Sequence, residues 1–167
     1  MVGSTPIPHF EIRPATEDDV PLILSFIKEL AEYERLADEV VATEELLRES
    51  LFGPSPFAEV VIGYYEDEPV GFAVFFHNFS TFLGRPGLYL EDLYVKPAYR
   101  GRGFGRAMLR HIARIARDRR CGRLEWAVLD WNEPAINFYK KLGAIPLDEW
   151  TVYRLTGEAL DRLADET

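Results

Sequence analysis

The stretch Arg100-Gly101-Arg102-Gly103-Phe104-Gly105-Arg106 decides how this chain is read. It follows an alternating, strand-like segment, Leu88-Tyr89-Leu90-Glu91-Asp92-Leu93-Tyr94-Val95, and precedes a helical one, Ala107 to Arg117. Strand, glycine-rich turn and helix start together form a cradle for a pyrophosphate. Glycine lets backbone N–H groups come close to anionic oxygens. The first helical turn offers unpaired N–H groups at the positive end of the helix dipole. Arg100, Arg102 and Arg106 lie close enough to add charge-assisted contacts.

Three rival readings are weaker. A flexible Arg-Gly loop without a ligand is the default for any glycine-rich run. An RGG-like nucleic-acid segment belongs in low-complexity chain, whereas this run sits between two strongly patterned elements. A P-loop needs G-x-x-x-x-G-K-[ST], and a dinucleotide fold needs an early strand followed by G-x-G-x-x-G; neither is present.

Charge distribution favours the anion cradle. The chain is acidic, with net charge −9. Yet the segment from Lys96 to Arg123 holds ten Lys or Arg and a single acid, Asp118. That segment carries +9 and the remainder −18. Arg106, Arg110, Arg114 and Arg117 share one helical face, with Met108, Leu109, Ile112, Ile115 and Ala116 opposite. The distal arginines read as a solvated face.

A length of 167 residues suits one domain with a real core. We read residues 1–9 as a mobile leader and 10–167 as a single domain. Cys121 is the only cysteine, which excludes an internal disulfide framework, and His9, His77 and His111 lack metal-ligand spacing, so no metal is expected. No apolar run reaches membrane-spanning length and no signal-peptide core is present, so a cytoplasmic protein is expected. The negative net charge argues against nucleic-acid and anionic-membrane partners and suits amines.

The pattern along the chain predicts a strand at 10–13, a helix capped by Thr16-x-x-Asp19, and a second helix from Thr43 to Gly53. Strands follow at 59–65 and 69–76, then a loop over 80–87, strand 88–95, and the cradle with its helix. A strand over 124–131, a helix capped by Asn132 and running to Leu142, a strand over 150–155 and a short C-terminal helix complete the order. This is an α/β chain with a mixed sheet and helices packed on it.

In combination, these elements resemble the GNAT acetyltransferases: strand, Arg-Gly-x-Gly-x-Gly, helix, then a strand ending in Asn and a helix bearing Tyr. Within that superfamily the chain is most similar to the diamine acetyltransferases and their thialysine-acetylating relatives. The residues carrying this match are Ile12-Arg13-Pro14-Ala15-Thr16, Lys28-Glu29-Leu30-Ala31-x-Tyr33-Glu34, Tyr89-Leu90-Glu91-Asp92 and Trp131-Asn132-Glu133-Pro134-x-Ile136-Asn137-Phe138-Tyr139-Lys140. The resemblance implies a GNAT fold, acetyl-CoA as donor, a primary amine as acceptor, direct ternary-complex transfer and a homodimer. Its alternatives are a protein-lysine acetyltransferase and a non-catalytic acyl-CoA-binding module.

The resemblance also implies roles. The CoA arm would lie along Leu93, Tyr94 and Val95, over the cradle Arg100 to Arg106 (Gly101, Arg102, Gly103, Phe104 and Gly105 included), and against Asn132, Pro134, Ala135 and Tyr139. Glu91 is the candidate base that removes the ammonium proton. A backbone N–H near Leu93 is the candidate oxyanion donor. Tyr139 is the candidate acid for the departing thiolate. Asp92, by simple alternation, faces away from Glu91 and reads as structural unless a bulge rotates it. Tyr33, Glu34, Glu91, Glu125, Trp126 and Asp148 are candidates for acceptor binding. Where the polyamine enzymes carry an acid and a tryptophan, this chain has Ser80-Thr81-Phe82-Leu83-Gly84-Arg85. Ser80 and Thr81 with Arg85 suit an acceptor's carboxylate, so a lysine-like amino acid is preferred over a polyamine.

Overall fold

The computed structural model describes residues 3–167; Met1 and Val2, at the start of the expected leader, lie outside the described residues. Six strands form one sheet in the order β1 (Gly3–Ser4), β2 (Phe10–Pro14), β3 (Glu59–Tyr65), β4 (Glu68–Ser80), β5 (Arg85–Val95) and β6 (Leu124–Glu125). The first five are antiparallel to their neighbours and β6 is parallel to β5. The helices are α1 (Val20–Tyr33), α2 (Glu44–Phe52), α3 (Phe104–Asp118), α4 (Glu133–Lys141) and α5 (Gly157–Ala164). The chain divides into two compact units, residues 1–127 and 128–167. No helix among the described residues is long and apolar enough to cross a membrane.

Local chemistry sets the helix starts. Thr16 and Asp19 form a reciprocal capping box ahead of α1. Thr43 accepts from the Leu46 amide to cap α2. The α1 stripe Ile23, Phe26 and Leu30 is buried against Val60, Ile62, Phe72 and Tyr94 of the sheet. The rings of Phe26 and Phe72 are stacked at 5.2 Å. On the opposite side Phe104, at the start of α3, stacks on Phe10 of β2 at 4.4 Å. Residues deep in this core, such as Phe72 at 0 % exposure, each contribute about 2–3 kcal/mol through burial.

Five differences from the sequence pattern stand out. Within the expected leader, Gly3 and Ser4 pair with Ile12 and Glu11. The expected loop 80–87 is mostly strand: β4 runs to Ser80 and β5 starts at Arg85, joined by a turn in which Ser80 Oγ accepts from the Leu83 amide and Gly84 takes φ 63°. The strand expected over 124–131 is reduced to Leu124 and Glu125. The segment 150–155 has strand alternation but no ladder partner among the described residues, and a strand exists only where a neighbour takes its backbone hydrogen bonds. Helix α3 starts at Phe104, three residues before the apolar periodicity that marks it in sequence.

Candidate active site

The cradle forms in the first unit. Gly101 and Gly103 take φ 75° and 86°, the left-handed region that glycine enters without penalty. Gly103 is the N-cap of α3. A β-carbon built on Gly101 would meet nothing within 4 Å, so the loop presents open space before the helix start. The amides of the first α3 turn have no intrahelical acceptor. Glycine backbone, helix N-terminus and Arg106 beside it form a donor set that fits a pyrophosphate.

Two of the cradle arginines have partners within the chain. Arg100 donates from Nε to the Val95 carbonyl at 2.9 Å, and its guanidinium lies over the rings of Tyr33 (4.6 Å) and Tyr94 (5.5 Å). Arg102 lies over Tyr65 at 4.6 Å and Phe104 at 5.4 Å. Both guanidiniums rest on aromatic faces, which suit their planar, weakly hydrated charge.

Strand β5 carries the carboxylates. Val74 pairs with Asp92 while the next residue of β4, Phe75, pairs with Leu90, so Glu91 is an extra residue, a β-bulge. Consecutive residues of β4 face opposite sides. Leu90 therefore faces the side of Phe75, and Asp92 the side of Val74 and α1. This is the bulge for which the sequence reading of Asp92 left room. Glu91 is exposed and Asp92 half-buried. Burial first, then the charges of Glu91 and Glu34, pushes the Asp92 carboxyl up to about 6. Glu34 follows the last residue of α1 and is raised from its ordinary value by burial. Residue alternation alone leaves no mark of the bulge, so which way Asp92 faces is settled only by the ladder.

The outer edge of β5 is open. β6 pairs with Leu88 and Tyr89 only. From Leu90 to Val95 that edge has no neighbouring strand among the described residues, leaving backbone donors and acceptors for an extended ligand. Tyr94 itself is 5 % exposed, its ring edge-on to Phe26 and Phe72, so its side chain belongs to the core.

Other expected residues are dispersed. Ser80 and Thr81 sit at the tip of the β4–β5 hairpin. Arg85 and Glu91 lie six positions apart on β5, about 20 Å of strand, so the structure does not bring Ser80 and Thr81 to the carboxylates of their own chain. Glu125 accepts from Asn78 Nδ2 at 3.5 Å and adjoins Tyr89, and Trp126 is half-buried just beyond it.

The second unit carries the remaining candidates. Asn132 is buried and caps α4, its Oδ1 accepting from the Ala135 amide at 3.4 Å, with Pro134 in the first turn. Tyr139 is half-buried with its ring 5.6 Å from that of Phe138. Asp148 is exposed in a turn.

The Acetyltransferase (GNAT) family profile matches residues 24–144, which runs from within α1 through the bulged strand, the cradle and α4. The chain belongs to the GNAT acetyltransferase family. A thialysine N-epsilon-acetyltransferase of Bos taurus is 43% identical, over 92% of this chain and 96% of its own length. One from Caenorhabditis elegans is 37% identical over 95% and 99%. An L-ornithine N5-acetyltransferase of Arabidopsis thaliana is 34% identical over 91% and 86%. Among solved structures, an integron cassette protein of V. cholerae superimposes with a TM-score of 0.79 at 29% identity, covering 95% of this chain and 99% of that one. As a GNAT acetyltransferase, the chain uses acetyl-CoA as co-substrate and is an N-acetyltransferase of small amines. The cradle and the open β5 edge are then the parts suited to the phosphates and the extended arm of that donor.

Proposed function

We propose that this enzyme acetylates the side-chain amine of a lysine-like amino acid, thialysine being the best representative. One observation carries the reading. A single unit holds an anion cradle at the start of α3, an unpaired strand edge, and a bulge that turns Asp92 toward α1 and Glu34 while leaving Glu91 exposed. The names of the similar thialysine and ornithine enzymes support the acceptor class.

In this reading the acceptor arrives as an ammonium, drawn by Glu34, Asp92 and Glu91. A free alkyl ammonium titrates near 10.4, so a proton must leave before attack. Glu91 accepts it, directly or through a water. The amine nitrogen then attacks the thioester carbonyl carbon. The developing oxyanion takes the Leu93 backbone N–H. The oxyanion collapses and the C–S bond breaks as Tyr139 gives the thiolate its proton, and the nitrogen, which carries one proton too many after attack, returns a proton to the tyrosinate. Acetyl-CoA supplies the activated acetyl group. Its phosphates are assigned to the amides of 101–106 with Arg106, and its arm to the backbone of Leu93, Tyr94 and Val95 and to Asn132, Pro134 and Ala135. Tyr33, Glu125, Trp126 and Asp148 are assigned to acceptor binding, and the hydroxyls of Ser80 and Thr81 to the acceptor held by a second copy of the chain.

The reading includes a homodimer in the cytoplasm. Trp150, Val152 and Tyr153 are 78 %, 91 % and 93 % exposed, and neither α4 nor α5 contains a buried residue. An apolar surface of this kind is suited to cover by a second copy. Thiol release measured over a panel of amino acids, di- and polyamines and a lysine-bearing peptide tests the function. Turnover with lysine-like amino acids supports it; turnover with the peptide alone overturns it.

A further inference from the structure

The first arginine of the cradle run rests on the ring of Tyr33 at the end of α1. The Arg100 side chain is fixed by three contacts: the Val95 carbonyl at 2.9 Å, the Tyr33 ring at 4.6 Å and the Tyr94 ring at 5.5 Å. Tyr94 is anchored in the core by edge contacts to Phe26 and Phe72. Tyr33 is the last residue of α1, 38 % exposed, and Glu34 follows it immediately. Arg100 thus bridges a rigid ring on the sheet and a more exposed ring at the end of the helix. Beyond Glu34 the chain turns sharply, with Arg35 at φ 62°. The placement of Glu34 toward Asp92 therefore depends on how the last turn of α1 is held. The cofactor's phosphates retain the backbone amides of the glycine run and Arg106 whether or not Arg100 is present.

We propose that Arg100 is a positioning residue for the acceptor: its guanidinium holds Tyr33, and with it the end of α1 that presents Glu34 opposite Asp92. The proposal rests on the reading of Glu34 and Asp92 as the ammonium's partners. It makes the cradle run serve both substrates, its backbone and Arg106 holding the donor and the Arg100 side chain shaping the acceptor pocket. A cation over an aromatic face is short-ranged and depends on the charge, so Lys at position 100 retains part of the effect and Ala none.

The test is steady-state kinetics on Arg100→Ala, Arg100→Lys, Tyr33→Ala and the double variant Arg100→Ala/Tyr33→Ala, with thialysine and acetyl-CoA varied separately. Arg100→Ala is expected to raise the amine KM roughly five- to tenfold while the acetyl-CoA KM changes much less. Arg100→Lys falls between Arg100→Ala and wild type. The double variant is no worse than the more impaired single variant, since both break one contact. Because Arg100 is exposed, its removal leaves the core filled and thermal melting unaltered. A rise in the acetyl-CoA KM with the amine KM unmoved, or effects of the two single variants that multiply in the double variant, overturns the positioning role. A wild-type enzyme that releases no thiol with any amine overturns instead the reading under Proposed function.

Discussion

Leu90 and Asp92 stand two residues apart on β5 yet face opposite sides of the sheet, because Glu91 is an extra residue against the Val74–Phe75 step of β4. The bulge sends Leu90, 2 % exposed, into the core, and turns Asp92 toward α1. Bulges recur where a strand must re-aim a side chain at a site. Here the result is two neighbouring carboxylates in unlike surroundings, one exposed and one largely desolvated.

The two carboxylates should therefore respond differently to neutralisation. Glu91→Gln lowers turnover most near neutral pH and least at high pH, where the amine loses its proton unaided. A pH–rate profile parallel to the wild type would assign Glu91 to binding instead.

Asp92 titrates at about 6 in the folded chain, above its ordinary value of 3.8, with burial the main cause. Between those two values the folded chain holds a proton that the unfolded chain has lost. Stability from this group is thus greatest at low pH, declines as pH rises through that window and is lowest above it, by at most roughly 3 kcal/mol. Asp92→Asn is expected to raise the melting temperature at pH 7.5, to flatten this pH dependence and to weaken amine binding. Thermal melts at pH 4 and 7.5 with amine KM measurements check it; a loss of stability at pH 7.5 sinks the idea of an uncompensated buried charge.

Gly103 caps α3 at φ 86°. Gly103→Val places a β-branched residue in the left-handed region, costing roughly 1–2 kcal/mol of local strain, and narrows access to the helix amides. Calorimetry should show acetyl-CoA affinity reduced at least tenfold while the circular dichroism spectrum is retained. Unchanged affinity in the folded variant would remove the cradle from the donor site.

Substrate choice follows from charge. A lysine-like acceptor brings a carboxylate as well as its amine, and one charge-assisted hydrogen bond is worth about 1.5–3 kcal/mol, so kcat/KM for thialysine should exceed that for spermidine more than tenfold. Ser80 and Thr81 lie at the distal hairpin tip, so replacing both with Ala discriminates the source of this preference. A preference that survives in the double variant places the carboxylate contact elsewhere. Spermidine preferred by the wild type would show that Glu34, Glu91 and Asp92 suffice to hold a polycation.

At the other end of α3, Arg119 makes a bidentate pair with Glu59 at 2.6 and 2.8 Å. Its hydrogen bond is the first cause of a Glu59 carboxyl lowered from its ordinary value. A lowered carboxylate contributes stability above its unfolded pKa and loses it as pH falls through the folded value. Because both side chains are more than a third exposed, Arg119→Ala should cost only about 1 kcal/mol or less at pH 7. The cost should shrink as pH falls below the ordinary carboxylate range, as measured by urea unfolding over a series of pH values.

Much of this protein was legible from residue order alone, because it depends on local chemistry. The Thr16 and Thr43 caps, the apolar stripe of α1, the Asn132 start of α4 and the glycine run before α3 act through neighbours within one helical turn, and the structure places them as read. Long-range pairing was not legible. The hairpin swallowed the expected loop, since a four-residue turn at 81–84 lets β4 and β5 keep pairing where glycine and proline suggested an end. The 124–131 and 150–155 segments have the alternation of strands, but only Leu124 and Glu125 find a ladder. The bulge at Glu91 and the resting place of the Arg100 guanidinium were decided the same way. A strand's register and a long side chain's rotamer depend on what stands opposite, and the opposite partners, Val74 on β4 and Tyr33 on α1, are distant in sequence. Sequence by itself determined which chemical groups this enzyme carries and which residues cap most of its helices; only the tertiary structure decided which carboxylate is desolvated and on which rings Arg100 rests, because desolvation and stacking are properties of neighbours brought together by folding.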